Sequence, residues 1–122
     1  MEDDMDQWTQ TQIDAQTEAP ETYTLERENA PDVRFEGWEV ARADSRRLGE
    51  NPPRWTSLWL YVSKGGKILA HKVGHTRLEG EVNLYTLHIC DTPAELREVL
   101  GHGWLAKSLY DEAGIDYVEE VE

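Results

Sequence analysis

The sequence predicts an α+β protein: an antiparallel four-stranded meander followed by two short helices packed on one face. Three observations predict it. Segments rich in aromatic and β-branched residues recur between residues 33 and 90, separated by glycine turns. Thr92-Pro93-Ala94-Glu95 is a capping box with proline at the first helical position. Gly114 stands where a second helix, about Trp104 to Ala113, needs a left-handed stop. Strands first and helices afterwards argue for segregated layers rather than a parallel α/β sheet.

The elements follow in order. Residues 33–43 alternate well enough for a strand, and Asp44 to Pro53 is a polar loop. Residues 54–63, with Trp55, Leu58, Trp59, Leu60, Tyr61 and Val62, read as a strand by content. Gly65 and Gly66 lie between Lys64 and Lys67, the signature of a two-residue hairpin loop into a return strand over 67–77. Glu79-Gly80-Glu81 turns the chain again into a strand over 82–90. Leu96, Val99 and Leu100 give the first helix its apolar face, Gly101 and Gly103 break it, and Leu105 and Leu109 serve the second.

A two-residue loop at Gly65-Gly66 sets a register. Val62 then faces Leu69, Leu60 faces His71 and Leu58 faces Val73. Leu58, Leu60, Val62, Leu69, Val73, Leu87 and Ile89 form one aliphatic face, where the helices dock. The other face carries Trp55, Ser57, Trp59 and Tyr61, with Lys72 across from Trp59. An antiparallel sheet with one covered face normally shows polar residues on the other, so something covers these aromatics. A tail of the chain, a second copy meeting it as a homodimer, or a ligand would each do so, and the plainest reading is a second, smaller core or a dimer interface.

Charge is strongly segregated. The 122 residues hold 12 Lys+Arg against 25 Asp+Glu, a net charge of −13. Residues 1–32 carry ten acids and one base, Arg27; residues 111–122 carry six acids and no base; residues 33–110 carry nine acids and eleven bases. The division expected is an acidic disordered tail over 1–32, one α+β domain over 33–115 and an acidic tail over 116–122. In the first segment Trp8, Ile13 and Tyr23 follow no helical or strand period. Trp8 is either a docking anchor or an incidental apolar residue. No segment is apolar for long enough to span a bilayer, and the first six residues lack the basic start and apolar run of a signal peptide. A single cysteine, Cys90, excludes an internal disulfide framework, and a cytoplasmic setting is expected.

Catalytic and metal patterns are missing. His71 and His75, four apart on a strand, stand roughly 13 Å apart and cannot share a metal. There is no His-Glu-x-x-His, Cys-x-x-Cys or Gly-x-Ser-x-Gly pattern. Lys64-Gly65-Gly66-Lys67 lacks the spacing of a phosphate-binding loop and joins two strands. His88, Cys90 and Asp91 are the strongest candidates for a catalytic reading; a small buried cysteine is the plainer account. No catalytic residue, cofactor or metal is therefore assigned.

Arg54-Trp55-Thr56, Leu58-Trp59-Leu60-Tyr61, Gly65-Gly66-Lys67, His71, Val73-Gly74 and Gly103-Trp104-Leu105-Ala106-Lys107 together resemble small uncharacterised α+β domains of actinobacteria and their phages and mobile elements. The resemblance covers about residues 33–115 and implies a compact α+β unit with no activity attached.

Two functions are expected from this. The first is a non-catalytic acidic protein, of the regulator or inhibitor kind found in phages and mobile elements. It would bind a basic, nucleic-acid-handling protein through Asp3, Asp4, Asp6, Asp111, Glu112, Asp116, Glu119 and Glu120, by imitating phosphate charge. In this reading the aromatic face of Trp55, Trp59, Tyr61 and Lys72 is a second contact surface. The alternative is a single-stranded nucleic-acid-binding module that stacks bases on those aromatics, helped by Arg46, Arg47 and Arg54, with the acidic tails as internal competitors.

Overall fold

A computed structural model describes residues 5–47 and 49–122. The α+β class is observed, but the sheet has five strands and three helices accompany it. In chain order the elements are α1 (Gln7–Asp14), β1 (Glu21–Leu25), β2 (Val33–Asp44), β3 (Arg54–Ser63), β4 (Ile68–Thr76), β5 (Leu84–Cys90), α2 (Pro93–Leu100) and α3 (Trp104–Ala113). The strands pair antiparallel in sequence order, β1 to β5.

The extra strand and helix both come from the segment expected to be disordered. Asp6 caps α1 by accepting the Trp8 backbone N–H at 2.8 Å. In β1, Tyr23 and Leu25 pair with Phe35 and Val33 of β2. Helix α1 has almost no apolar face and the alternation of β1 is only two residues long, Tyr23 and Leu25; each is held by what it packs against, as short helices and edge strands are. Helices α2 and α3 follow their sequence signals closely. Thr92 Oγ1 accepts the Glu95 N–H at 3.2 Å, and Glu95 reaches back to the Asp91 N–H at 2.8 Å. Gly114 adopts φ +70°, and the Ile115 N–H returns to the Tyr110 carbonyl at 2.9 Å.

The register of the central hairpin differs by one residue from the expected one. Val62 faces Ile68, Leu60 faces Ala70 and Leu58 faces Lys72. The loop holds three residues, not two. The Gly66 N–H bonds to the Ser63 carbonyl and the Ser63 N–H to the Lys67 carbonyl, with Gly66 at φ +96°. This is a turn completed by a left-handed glycine, which adds one residue to the loop. One residue flips every side chain beyond it. Leu69, Val73, Leu87 and Ile89 therefore stay together but share the aromatic face, while Lys72, His88 and Cys90 lie on the helix face.

Two cores result. On the helix face, Leu58, Leu60, Ile68, Ala70, Cys90, Leu96, Leu109 and Tyr110 form the larger one. On the other, Leu25, Tyr61 and Leu69 are packed by Tyr23, Val33, Phe35, Trp59 and Leu87. The Tyr23 and Tyr61 rings, on strands that are not neighbours, lie 4.8 Å apart. The sheet must curl around this second core for that to happen. The β1–β2 connection closes the curl: the Glu28 N–H bonds to the Tyr85 carbonyl on β5, and the Glu28 carboxylate accepts the Tyr85 N–H. Among the described residues no helix is long and apolar enough to cross a membrane.

Candidate functional site

The curl sorts the expected aromatic contact residues. Trp55, Trp59 and Tyr61 share the concave face. Tyr61 is only 7% exposed, packed between Tyr23 and Phe35, and burial pushes its phenol up to about 12. It is interior, not a stacking platform or a surface for a second copy. Lys72 does not join this group, because the hairpin register places it opposite Leu58 and Thr86 on the other face.

At the open end of the curl, residues from β2, β3, β4 and their loops interlock around Trp55. The His75 ring stacks on the indole at 4.7 Å and 8°. The guanidinium carbons of Arg46 and Arg77 stand 4.5 and 4.6 Å from the ring centroid. Ser57, facing Asp44 across the β2–β3 pair, donates its hydroxyl proton to Asp44 Oδ2 at 2.8 Å. His75 Nε2 lies 3.0 Å from the same hydroxyl. Since the Ser57 proton is committed to a carboxylate, His75 is the donor in that contact. Ser, His and Asp meet here without the polarity of a nucleophilic triad: the imidazole gives a proton toward the hydroxyl instead of taking one. Burial raises the Asp44 pKa, but bonds from Arg46 and Ser57 outweigh it and hold the carboxyl below its usual range. Burial pushes the His75 imidazole down. Together these residues tie three strand ends into one clamp, and their contacts occupy the indole surface a base would stack on.

Two of the three loop arginines of the nucleic-acid reading are engaged by carboxylates, while Arg47 is exposed. Arg46 pairs with Asp44, and Arg54 with Glu81. The Arg47 backbone N–H bonds to Glu50. His88 and Cys90 lie on the helix face, Cys90 within the core. Burial, then the charges of Glu95 and Asp91, push the Cys90 thiol up, the opposite of nucleophile activation. Asp91 is paired with Lys67. Among the described residues no group of three His, Cys, Asp or Glu side chains is arranged to hold a metal.

The acidic residues come together in a way the sequence did not reveal. Trp8 packs against the larger core, and its indole N–H donates to the Ala113 carbonyl at 2.8 Å. This bond seats α1 at the C-terminal end of α3. The chain beyond α3 begins at the same place: Ile115 is buried, Arg97 donates to the Asp116 carbonyl at 3.0 Å, and the Tyr117 ring packs 5.7 Å from Tyr110. Trp8, Arg97, Ile115, Tyr117 and Glu119 line one open cavity of about 640 Å³. Asp6 at the N-cap of α1, Asp111 and Glu112 in the last turn of α3, and Asp116, Glu119 and Glu120 beyond it are thus carried by segments that meet at this end of the molecule, the acidic pole, where Arg97 and Lys107 also lie. All but Asp6, which is half-buried at the α1 cap, are exposed. Asp3 and Asp4 lie outside the described residues. The sequence signal for this docking was slight: Asp6 two residues before Trp8, an N-cap ahead of a helix with almost no apolar face.

Compared with protein-family models, curated proteins and solved structures, the chain matches none.

Proposed function

We propose that the protein is a non-catalytic interaction module whose acidic pole docks on a basic surface of a nucleic-acid-handling protein. The observation that supports this reading is the Trp8–Ala113 bond, which seats the Asp6-capped helix beside the acidic residues that follow α3. Carboxylates scattered on two loose tails would only raise solubility. Gathered on one docked surface they present a fixed negative field that steers a cationic partner and matches its phosphate-binding charges. A partner held in this way is blocked from nucleic acid, so the role is regulatory or inhibitory.

The test is capture from lysate at low and high salt, followed by binding measurements on the captured basic protein. The expected result is affinity that falls steeply with salt, because exposed charges are screened over about 10 Å at 0.1 M. It should also fall when Asp111, Glu112, Asp116, Glu119 and Glu120 become Asn or Gln. Capture that is indifferent to salt and to those substitutions overturns the reading. Direct capture of single-stranded nucleic acid by the neutralised variant would move the functional surface to the concave face.

A further inference from the structure

The sheet end where β3 begins and β4 finishes carries a hollow of about 730 Å³, a size that suits a small ligand. No helix residue lines it. Trp55, Gly74, Val82 and Leu84 supply the apolar part of its wall, with Val82 77% and Leu84 58% exposed. Gly74 keeps room in it, since a Cβ there would meet nothing nearer than Leu84, at 3.8 Å. Apolar side chains gathered around an open hollow mark a recognition surface.

The charged groups of this wall are spent on one another. Arg54 holds Glu81 at two points, with Nε to Oε1 at 3.0 Å, and Glu81 Oε1 also accepts the Thr76 hydroxyl at 2.6 Å. Ser45 Oγ accepts the Thr56 N–H at 2.8 Å, and His75 Nε2 lies 3.0 Å from the Ser57 hydroxyl. A charged ligand would meet a wall whose own charges already cancel. One donor is left over. The Trp55 indole N–H is buried and has no hydrogen-bond partner among the described residues. A buried donor without an acceptor is costly, and an acceptor brought by a ligand removes that cost. Arg77, whose guanidinium lies 4.6 Å from the ring centroid, is exposed and pairs with no carboxylate among the described residues. The cover of the indole can therefore move aside as a ligand enters.

We infer that this hollow binds a compact, uncharged, apolar molecule bearing a carbonyl oxygen, which accepts the Trp55 indole N–H. Trp55, Val82 and Leu84 bury its body, Gly74 leaves the space, and the paired Arg54 and Glu81 bound the site without contributing net charge. The inference is independent of the acidic-pole reading, since it concerns different residues and a different kind of ligand.

Proton–nitrogen correlation spectra of the full chain, titrated with coumarin, test it. Coumarin is a flat, uncharged lactone with one carbonyl oxygen. The chain has five tryptophans, and Trp55→Phe identifies the indole N–H signal of Trp55. The expected result is a saturating downfield shift of that signal, together with shifts of the Gly74 and Val82 amides, and a Kd on the order of 1 mM, as suits so small a ligand. Gly74→Leu fills the hollow and should weaken binding about tenfold. Val82→Ala/Leu84→Ala, which alters only exposed side chains and should leave thermal unfolding unchanged, should weaken it by a similar factor. Coumarin that leaves the Trp55 signal and these amides unmoved overturns the inference, as does a shift that neither variant alters. Tighter binding of a coumarin carboxylate than of coumarin itself would make the hollow an anion site and overturn the uncharged class.

Discussion

Replacing Trp8 by alanine tests the feature on which the acidic pole depends. Removing a fully buried tryptophan costs about 3–5 kcal/mol. Trp8 is half-buried against the core, which brings the expectation to about 2 kcal/mol. About 1 kcal/mol of that belongs to the bond from its indole N–H to the Ala113 carbonyl. Unfolding entropy near 2.1 cal/mol/K per residue gives about 0.25 kcal/mol/K for 122 residues. Trp8→Ala should therefore lower Tm by about 8 °C, and Trp8→Phe, which keeps the ring but loses the donor, by about 4 °C. Calorimetry reads the first quantity, and amide hydrogen exchange over Gln7–Asp14 reads the local one. In the parent these amides should be protected; in Trp8→Ala they should exchange as an unfolded chain does. A Trp8→Ala protein melting within about 2 °C of the parent, with α1 amides unprotected in both, would refute the docking and with it the joined pole.

Two further outcomes follow from the packing and the titrating groups. Gly37→Ala should cost about 3 kcal/mol in urea unfolding, since its Cβ would stand 2.2 Å from the Val62 carbonyl oxygen and 2.8 Å from Ser63 Cα, backbone that can yield only by parting β2 from β3. A loss below about 1 kcal/mol would mean that the pair is looser than described. Burial lowers the His75 and His88 pKa values below the ordinary 6.5. The folded state then binds fewer protons than the unfolded one, so stability is full above about pH 7 and falls on acidification through the folded-state values. Tm followed between about pH 7 and pH 5 should drop, and His75→Gln/His88→Gln should flatten that slope; an unchanged slope would show that other groups set it.

The elements with strong local chemistry were legible in the sequence. The Thr92–Glu95 capping box, the Gly114 stop and the three strands β2, β3 and β4 stand close to where composition and punctuation put them. Two things were not. The loop at Gly65 and Gly66 admits two lengths from the same residues. Only the backbone shows that Gly66 takes the left-handed position, and that single residue decided which face held Leu69, Lys72 and His88. The N-terminal helix and strand were hidden for a different reason. Their order comes from contacts with residues far along the chain, Trp8 with Ala113 and Glu28 with Tyr85, and a local pattern carries no trace of such partners. The candidate site divided likewise: the acids were countable in the sequence, but their meeting at one pole was not.

The bond from Trp8 to Ala113 also sets a schedule. Its partners are separated by 105 positions in the chain. At synthesis rates of about 5–20 residues per second, α1 leaves the ribosome on the order of 5–20 s before the helix it rests on exists. An eight-residue helix with little apolar face cannot hold itself during that interval. The N-terminal segment therefore begins its life as an open acidic chain carrying an unprotected tryptophan, exposed to proteases and chaperones. It becomes part of the domain only once α3 has been made.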